Sequence, residues 1–164
     1  MPNAQRATSW LPGARLAKSS TGGPDVAVLA TVNASTPVNS GDFVTISSGK
    51  VTSIATGAYG NAGIYGVAAH SAAVNGTVLV NVATPENTFI ARCKTGASSV
   101  AVPGLQCDID GTAMTVAPTV TTHLHVQVVE PNPSDDTSDT TTPGRILFKI
   151  IRSQYTALTA ANAT

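Results

Sequence analysis

Charged side chains are scarce in this chain of 164 residues, where Asp, Glu, Lys and Arg together make up 11%. An average soluble domain has about 25%. Nine basic and nine acidic residues leave no net charge, and aromatic residues make up only 4%. This composition excludes a basic nucleic-acid binder, an acidic disordered chain and a coiled coil, so no nucleic acid is expected as a partner. So few charges protect a surface poorly against association. We therefore expect other protein to cover much of it, the alternative being a Ser/Thr-rich surface kept soluble by hydroxyls.

Long apolar runs and paired cysteine motifs are also missing. No stretch approaches the roughly 18–20 apolar residues of a membrane helix. The first 20 residues, MPNAQRATSWLPGARLAKSS, lack the apolar core of a signal peptide. These absences predict a protein that is made in the cytoplasm and has no membrane partner. The two cysteines, Cys93 and Cys107, lack CxxC spacing and are expected to be free thiols rather than zinc ligands.

Motifs that carry catalysis or hold cofactors do not occur, since there is no GxSxG, HExxH, Walker or GxGxxG pattern. His123 and His125 alternate in a predicted strand and would share a face, but a metal site needs a third ligand, and His70 is the one other histidine. Asp108 and Asp110 flank Ile109 and could hold calcium or act as an acid/base pair, but a turn at Asp110-Gly111 explains Asp110 without a metal. We therefore predict a protein that is not an enzyme and holds no metal or other cofactor.

The first 24 residues differ from the rest of the chain. They hold three basic residues and no acidic one, while residues 25–164 hold six basic and nine acidic ones, so the two parts carry +3 and −3. The segment has neither a strand period nor a helix period, which predicts an extended arm. We expect it to become ordered on a neighbouring chain; the alternative is that Trp10 packs on the protein's own core. The predicted binding anchors are Trp10, Leu11, Arg15, Leu16 and Lys18.

The rest of the chain alternates short β-branched runs with turn signals, which predicts an all-β domain over residues 25–152, a small sandwich or barrel. The predicted strands are residues 26–32, 42–56 as a hairpin, 63–69, 77–83, 87–93, 105–109, 114–116, 123–130 and 145–152. The core candidates are Val44, Ile46, Val78, Val80, Val128, Leu147 and Phe148. Residues 131–144 are rich in Asp and are predicted to be a solvent loop. Residues 153–164 form an uncharged tail.

A series of glycine-marked segments resembles a known family. The segments are GDFV (41–44), GIYGVA (63–68), GTVLVNV (76–82), FIA (89–91) and RILFKI (145–150), in that order. In composition and in this order, the chain resembles the small head decoration, or capsid cement, proteins of tailed bacteriophages. The resemblance covers roughly residues 37–152 and includes neither the arm nor the Asp-rich loop.

The resemblance implies a non-enzymatic protein that binds the outer surface of a phage capsid and stabilises it. Its location would be the virion, and its partner the major capsid protein. It would also associate with itself as a homotrimer. Two other functions stay open from the residues alone: a β-sandwich module of a phage tail or bacterial surface assembly, and a carbohydrate-binding module.

Overall fold

The regular secondary structure of the described residues is almost entirely β-strand, which confirms the predicted all-β class. The computed structural model describes residues 13–19, 27–56, 63–94, 100–131 and 144–154. The strands in this part of the chain are β1 (Arg15–Ser19), β2 (Ala27–Val32), β3 (Phe43–Ser47), β4 (Lys50–Ser53), β5 (Gly66–Ala68), β6 (Thr77–Val82), β7 (Asn87–Arg92), β8 (Gln106–Asp110), β9 (Thr115–Ala117), β10 (Val126–Pro131) and β11 (Arg145–Ile150). One turn of 3-10 helix, Ile54–Thr56, follows β4.

Five strands close into a barrel in the order β2, β4, β3, β5 and β6. β2 and β4 run parallel, and the other neighbours are antiparallel. Because a five-stranded barrel is narrow, small side chains fill its interior. The buried residues of this barrel core are Ala30, Val32, Val38, Val44, Val51, Tyr65, Ala68, Val78, Val80 and Val82. The predictions for Val44, Val78 and Val80 are thus confirmed, whereas Ile46 is only partly buried against this core.

The hairpin of β3 and β4 follows from local sequence. Ser48 and Gly49 form its two-residue turn with φ angles of 50° and 74°. Two positive φ angles define the turn type whose twist matches that of paired strands. The two strands pair from Ser47 with Lys50, next to the turn, to Val44 with Ser53. The predicted hairpin and its turn are therefore confirmed.

The remaining six strands form an antiparallel sheet in the order β1, β7, β11, β10, β8 and β9. Just past β7, Cys93 makes a parallel bridge with Val116 of β9. The Lys94 N–H donates to the Val116 carbonyl at 2.7 Å. These bonds bring the last strand of the sheet back towards β7, so the sheet is strongly curled.

A second core joins the sheet to the outside of the barrel. Adjacent residues of β3 face opposite ways, since Phe43 belongs to this junction core and Val44 to the barrel core. The Phe148 ring of β11 lies 6.1 Å from the Phe43 ring and 6.0 Å from the Phe89 ring, centre to centre. Three aromatic rings from two sheets therefore meet at the junction, where offset contacts between rings are favourable.

The prediction for β11 is wrong at one position. Leu147 is only half-buried, while Ile146, Phe148 and Ile150 are buried in the junction core. Arg145 and Lys149 share the face of Leu147, because alternate residues of a strand point the same way. Keeping both cations near solvent places the other face of the strand in the core. Val128 on the neighbouring β10 is buried as predicted.

Part of the predicted arm is a strand of the body. β1 pairs antiparallel with β7 of the same chain, with Leu16 opposite Phe89 and a register shift between Leu16 and Lys18. The preceding residue, Ala14, is fully buried, and its N–H donates to the Gly41 carbonyl at 2.8 Å. The expectation that this segment is ordered only on a neighbouring chain therefore does not hold for residues 13–19. Residues 1–12 and 20–26 lie outside the described part of the chain.

The start of the predicted tail is also attached to the body. Ser153 donates its hydroxyl to the Ala83 carbonyl at 2.6 Å. The Gln154 amide oxygen accepts the Ile46 N–H at 2.7 Å, and its amide nitrogen donates to the Ile46 carbonyl at 3.2 Å. Residues 153–154 thereby tie the end of the sheet to the barrel. The rest of the tail and most of the predicted Asp-rich loop, residues 132–143, lie outside the described residues.

Candidate functional site

The predicted anchors of the arm are only partly placed by the structure. Leu16 is half-buried on β1 and packs against the junction core. Arg15 is also half-buried, and its guanidinium donates to the Ala14 carbonyl at 2.8 Å. Lys18 lies in the same strand, paired with Thr88, whereas Trp10 and Leu11 fall outside the described residues. Leu16 is therefore fixed within its own chain, and this contact lowers its availability to a partner.

A groove runs between β1 and the barrel. It has a volume of about 290 Å³. Residues 14–17 line one side, and Ala68, Ala69 and Asn81 line the other. The two sides approach closely because glycines meet here: a Cβ added at Gly13 would lie 2.6 Å from the Gly41 carbonyl oxygen. The contact thus explains the glycine of GDFV, whose φ of 89° also disfavours other residues.

The first half of β2 is an exposed strand edge. Thr31 and Val32 pair with β4, but among the described residues no strand pairs with Ala27–Ala30 on that side. Leu29 on this half is 68% exposed and Val28 is 40% exposed. A strand edge with unpaired backbone groups and apolar side chains is a template for another strand. The sequence pattern predicted the strand over residues 26–32 but not this exposed edge.

The two histidines do not lie in a strand together, so that prediction is wrong. β10 begins at Val126, and Leu124 between the histidines has a left-handed φ of 53°. The rings lie 5.6 Å apart, centre to centre, but His123 is half-exposed while His125 is fully buried. The left-handed residue breaks the alternation that would have placed both rings on one face.

Asp108 holds the turn that contains these histidines. Its buried carboxylate accepts the N–H groups of His123 at 2.8 Å and Leu124 at 2.6 Å. The His125 Nδ1 lies 3.7 Å from the same carboxylate. A carboxylate that accepts several backbone N–H groups stabilises a turn in a left-handed conformation. Asp108 is therefore explained by this turn, a role that neither of the two predicted alternatives for it had included.

Asp110, two residues further on, belongs to a small polar pocket of about 310 Å³ that also contains Lys94 and His123. Its carboxylate lies 3.1 Å from the Lys94 ammonium and accepts the N–H groups of Thr112 and Ala113. Partial burial acts to raise the pKa of Asp110, but the Ala113 N–H, the Lys94 ammonium and the Thr112 N–H together lower it below its usual value. The turn predicted here is confirmed.

Both cysteines are buried and unbridged. Burial is the main cause that raises the pKa of each thiol to about 12. The nearby Cys107 raises the pKa of Cys93 further, and the nearby Asp108 raises that of Cys107. Thiols with such a pKa stay protonated at neutral pH, and a protonated thiol is a poor nucleophile and a poor metal ligand.

Within the described ranges, no group of three or more His, Cys, Asp or Glu residues is arranged to hold a metal ion. The same part of the chain contains no helix that is long and apolar enough to cross a membrane. The four described aromatic residues, Phe43, Tyr65, Phe89 and Phe148, are all buried. Among the described residues, the open edge of β2 and the groove beside β1 are candidate binding features of the surface.

Comparisons of the chain with protein-family models, with curated proteins and with solved structures found no match.

Proposed function

We propose that this protein is a capsid cement protein, which binds the outer surface of a phage capsid and stabilises it without catalysing a reaction. The major capsid protein is its proposed partner, the virion its proposed location and a homotrimer its proposed assembly. One observation supports this proposal above the others: the segments that carry the family resemblance form one connected structural unit.

The connections between these segments are direct. GDFV leads into β3, GIYGVA leads into β5 and GTVLVNV forms β6, and these three strands are consecutive neighbours in the barrel. FIA lies in β7 and RILFKI is β11, and these strands also pair, with Phe89 opposite Phe148. A resemblance scattered over unrelated surface loops would carry less weight.

The glycines in these segments are required by packing. A Cβ added at Gly66 would lie 2.3 Å from the Asn81 carbonyl oxygen, and one added at Gly41 would overlap the Arg15 side chain. At Gly66 the neighbouring atom belongs to the backbone, so a side chain there requires a backbone shift. At Gly41 the neighbouring atom is the movable end of Arg15, and the φ of 89° is what favours glycine. The glycine pattern that resembles the cement family therefore follows from the way this barrel packs. This supports our proposal that the resemblance extends from the sequence to the fold and the function.

Such a function is physically consistent with the surface. An exposed strand edge binds an extended segment through backbone hydrogen bonds and makes few demands on its sequence. Many copies bound to one shell add their contacts, so a modest affinity of each copy is sufficient to brace the shell.

The proposal is tested by binding to undecorated capsids made from the major capsid protein encoded nearest to this gene. We expect the protein to sediment with these capsids and to raise the temperature at which the shells disassemble. A variant that lacks residues 1–12 keeps β1 and tests the predicted anchors Trp10 and Leu11, and comparison of its Tm with that of the full chain tests whether Trp10 packs on the protein's own core. Failure of the full chain to sediment with the capsids, at a concentration where it is folded, would refute the function.

A further inference from the structure

The polar pocket that contains Asp110 lies at one end of the larger sheet. The end of β8 and the turn after it form one side of this pocket, residues 117–123 form the other, and Lys94, just past β7, completes its border. Its volume of about 310 Å³ is close to the lower limit of the roughly 300–1,000 Å³ of ligand pockets. The pocket therefore accommodates a ligand of the size of a single ring rather than an extended chain.

The charged groups of the pocket are held in place within the protein itself. The Asp110 carboxylate accepts two N–H groups of the turn that follows it, and it lies 3.1 Å from the Lys94 ammonium. The buried Asp108 carboxylate accepts the N–H groups of residues 123 and 124. Groups that are already fixed lose little conformational freedom when a ligand binds. The pocket is therefore preorganised.

The charges of the pocket favour a neutral ligand. Lys94 already neutralises Asp110. Both oxygens of Asp108 already accept backbone N–H groups, since Oδ1 accepts those of His123 and Leu124, and the His123 N–H is also within 3.1 Å of Oδ2. Burial of a charged ligand costs free energy unless a counter-charge pairs with it. Among the described groups of the pocket, the carboxylates and the ammonium are already engaged in this way, so a neutral ligand pays the smallest penalty.

A neutral ligand meets both polar and apolar groups here. The Lys94 ammonium and the hydroxyls of Thr112 and Thr122 are donors, and the Asp110 carboxylate is an acceptor. Val120 lines the same pocket and is 37% exposed, so its methyl groups offer an apolar contact. The described aromatic rings are all buried, which leaves this contact to an aliphatic side chain. A sugar ring has matching groups, because hydroxyls surround its rim and C–H groups cover its face.

We infer that this pocket binds a single neutral hexopyranose ring. The hydroxyls of the ring hydrogen-bond to Asp110, Lys94 and Thr112, and its C–H face contacts Val120. This saccharide-binding activity goes beyond the proposed function and does not depend on it, because the pocket is formed within one chain.

The test uses the full chain and the methyl α-glycosides of glucose, galactose and mannose. Each glycoside is titrated into the ¹⁵N-labelled protein, and the amide shifts are followed by NMR. We expect at least one glycoside to bind with a Kd of about 1 mM, because one small ring buries little surface. The amides that shift should be those of residues 108–112 and 120–123, which border the pocket.

Two variants test the polar contacts of the pocket. Lys94→Met removes the ammonium and keeps most of the side-chain length, and it should weaken binding about tenfold. Thr112→Val removes one exposed hydroxyl at nearly constant shape and should weaken binding about threefold. The matched control is Lys149→Met, since Lys149 lies on β11, outside the pocket, and donates to the Pro85 carbonyl. This control should leave the Kd unchanged.

Several results would overturn the inference. One is the lack of a saturable shift with any of the glycosides at millimolar concentration. Tighter binding of glucuronate than of glucose would show a site for anions, and equal shifts with glycerol would show an unspecific polyol contact. Folded Lys94→Met and Thr112→Val proteins that bind as tightly as the wild type would place the sugar elsewhere. None of these results affects sedimentation with capsids, so the proposed function is decided by its own test.

Discussion

Phe148 should be the most costly single side chain to remove, because it connects the sheet to the barrel. It is fully buried, and its ring contacts Phe89 on the neighbouring strand and Phe43 on the barrel. Truncation of a buried Phe to Ala costs about 3–5 kcal/mol, through lost burial and the cavity that remains. In a chain of this size each kcal/mol lowers Tm by about 2–4 °C, so Phe148→Ala should lower Tm by roughly 6–20 °C.

The matched control for this change is the preceding residue. Leu147 lies on the same strand but is only half-buried, so Leu147→Ala should cost about 1 kcal/mol. Urea unfolding followed by far-ultraviolet circular dichroism measures both free energies of unfolding. If Leu147→Ala costs as much as Phe148→Ala, the assignment of the two faces of β11 is wrong, and with it the position of the junction core.

Three further predictions concern backbone, charge and thiol positions. Gly66→Ala should lower the free energy of unfolding by about 3 kcal/mol in urea titrations, because its Cβ meets a carbonyl that cannot move freely. The control Gly49→Asn, at an open turn with positive φ, should change this free energy by less than about 0.5 kcal/mol. Equal costs of the two substitutions would contradict this reasoning. The lowered pKa of Asp110 stabilises the fold above its unfolded pKa near 4, and this contribution is lost as pH falls through the lower folded pKa. Asp110→Asn should therefore be less stable than wild type at pH 6 and similar to it at pH 2 in thermal melts, and a constant difference across this range would count against the charge effect. Cys93 and Cys107, with pKa values of about 12, should react with a thiol reagent at pH 8 only when the protein unfolds, and labelling of the native protein at the rate of a free cysteine would disprove their burial.

Strand positions were the most predictable part of this protein, and strand ends the least. The alternation of Val78, Val80 and Val82 predicts β6 and its buried face, because successive side chains of a strand point to opposite faces and only one face of β6 lies in the barrel interior. The same rule fails at His123 and His125, since Leu124 adopts a left-handed conformation that Asp108, distant in sequence, stabilises. The face of β11 could have been predicted from Arg145 and Lys149, whose shared parity marks the solvent side.

The candidate binding surface was less predictable than the fold. Charge asymmetry and the apolar residues of the first 24 positions indicated an arm, but that pattern cannot tell whether Leu16 packs on its own chain or on a neighbour. The structure places Leu16 on its own junction core. The open edge at Ala27–Ala30 has no signal in the sequence, because it depends on where another strand, β4, begins.

The sequence by itself determined that this is an all-β protein with small, mostly valine barrel positions and glycine-marked turns, because alternation and turn chemistry act over a few neighbouring residues. Only the tertiary structure decided which strands close into the barrel, that β1 completes the larger sheet and that half of β2 pairs on one side only among the described strands. These features depend on pairing between segments far apart in the chain, where register and closure are selected by the packing of the whole core rather than by any local pattern.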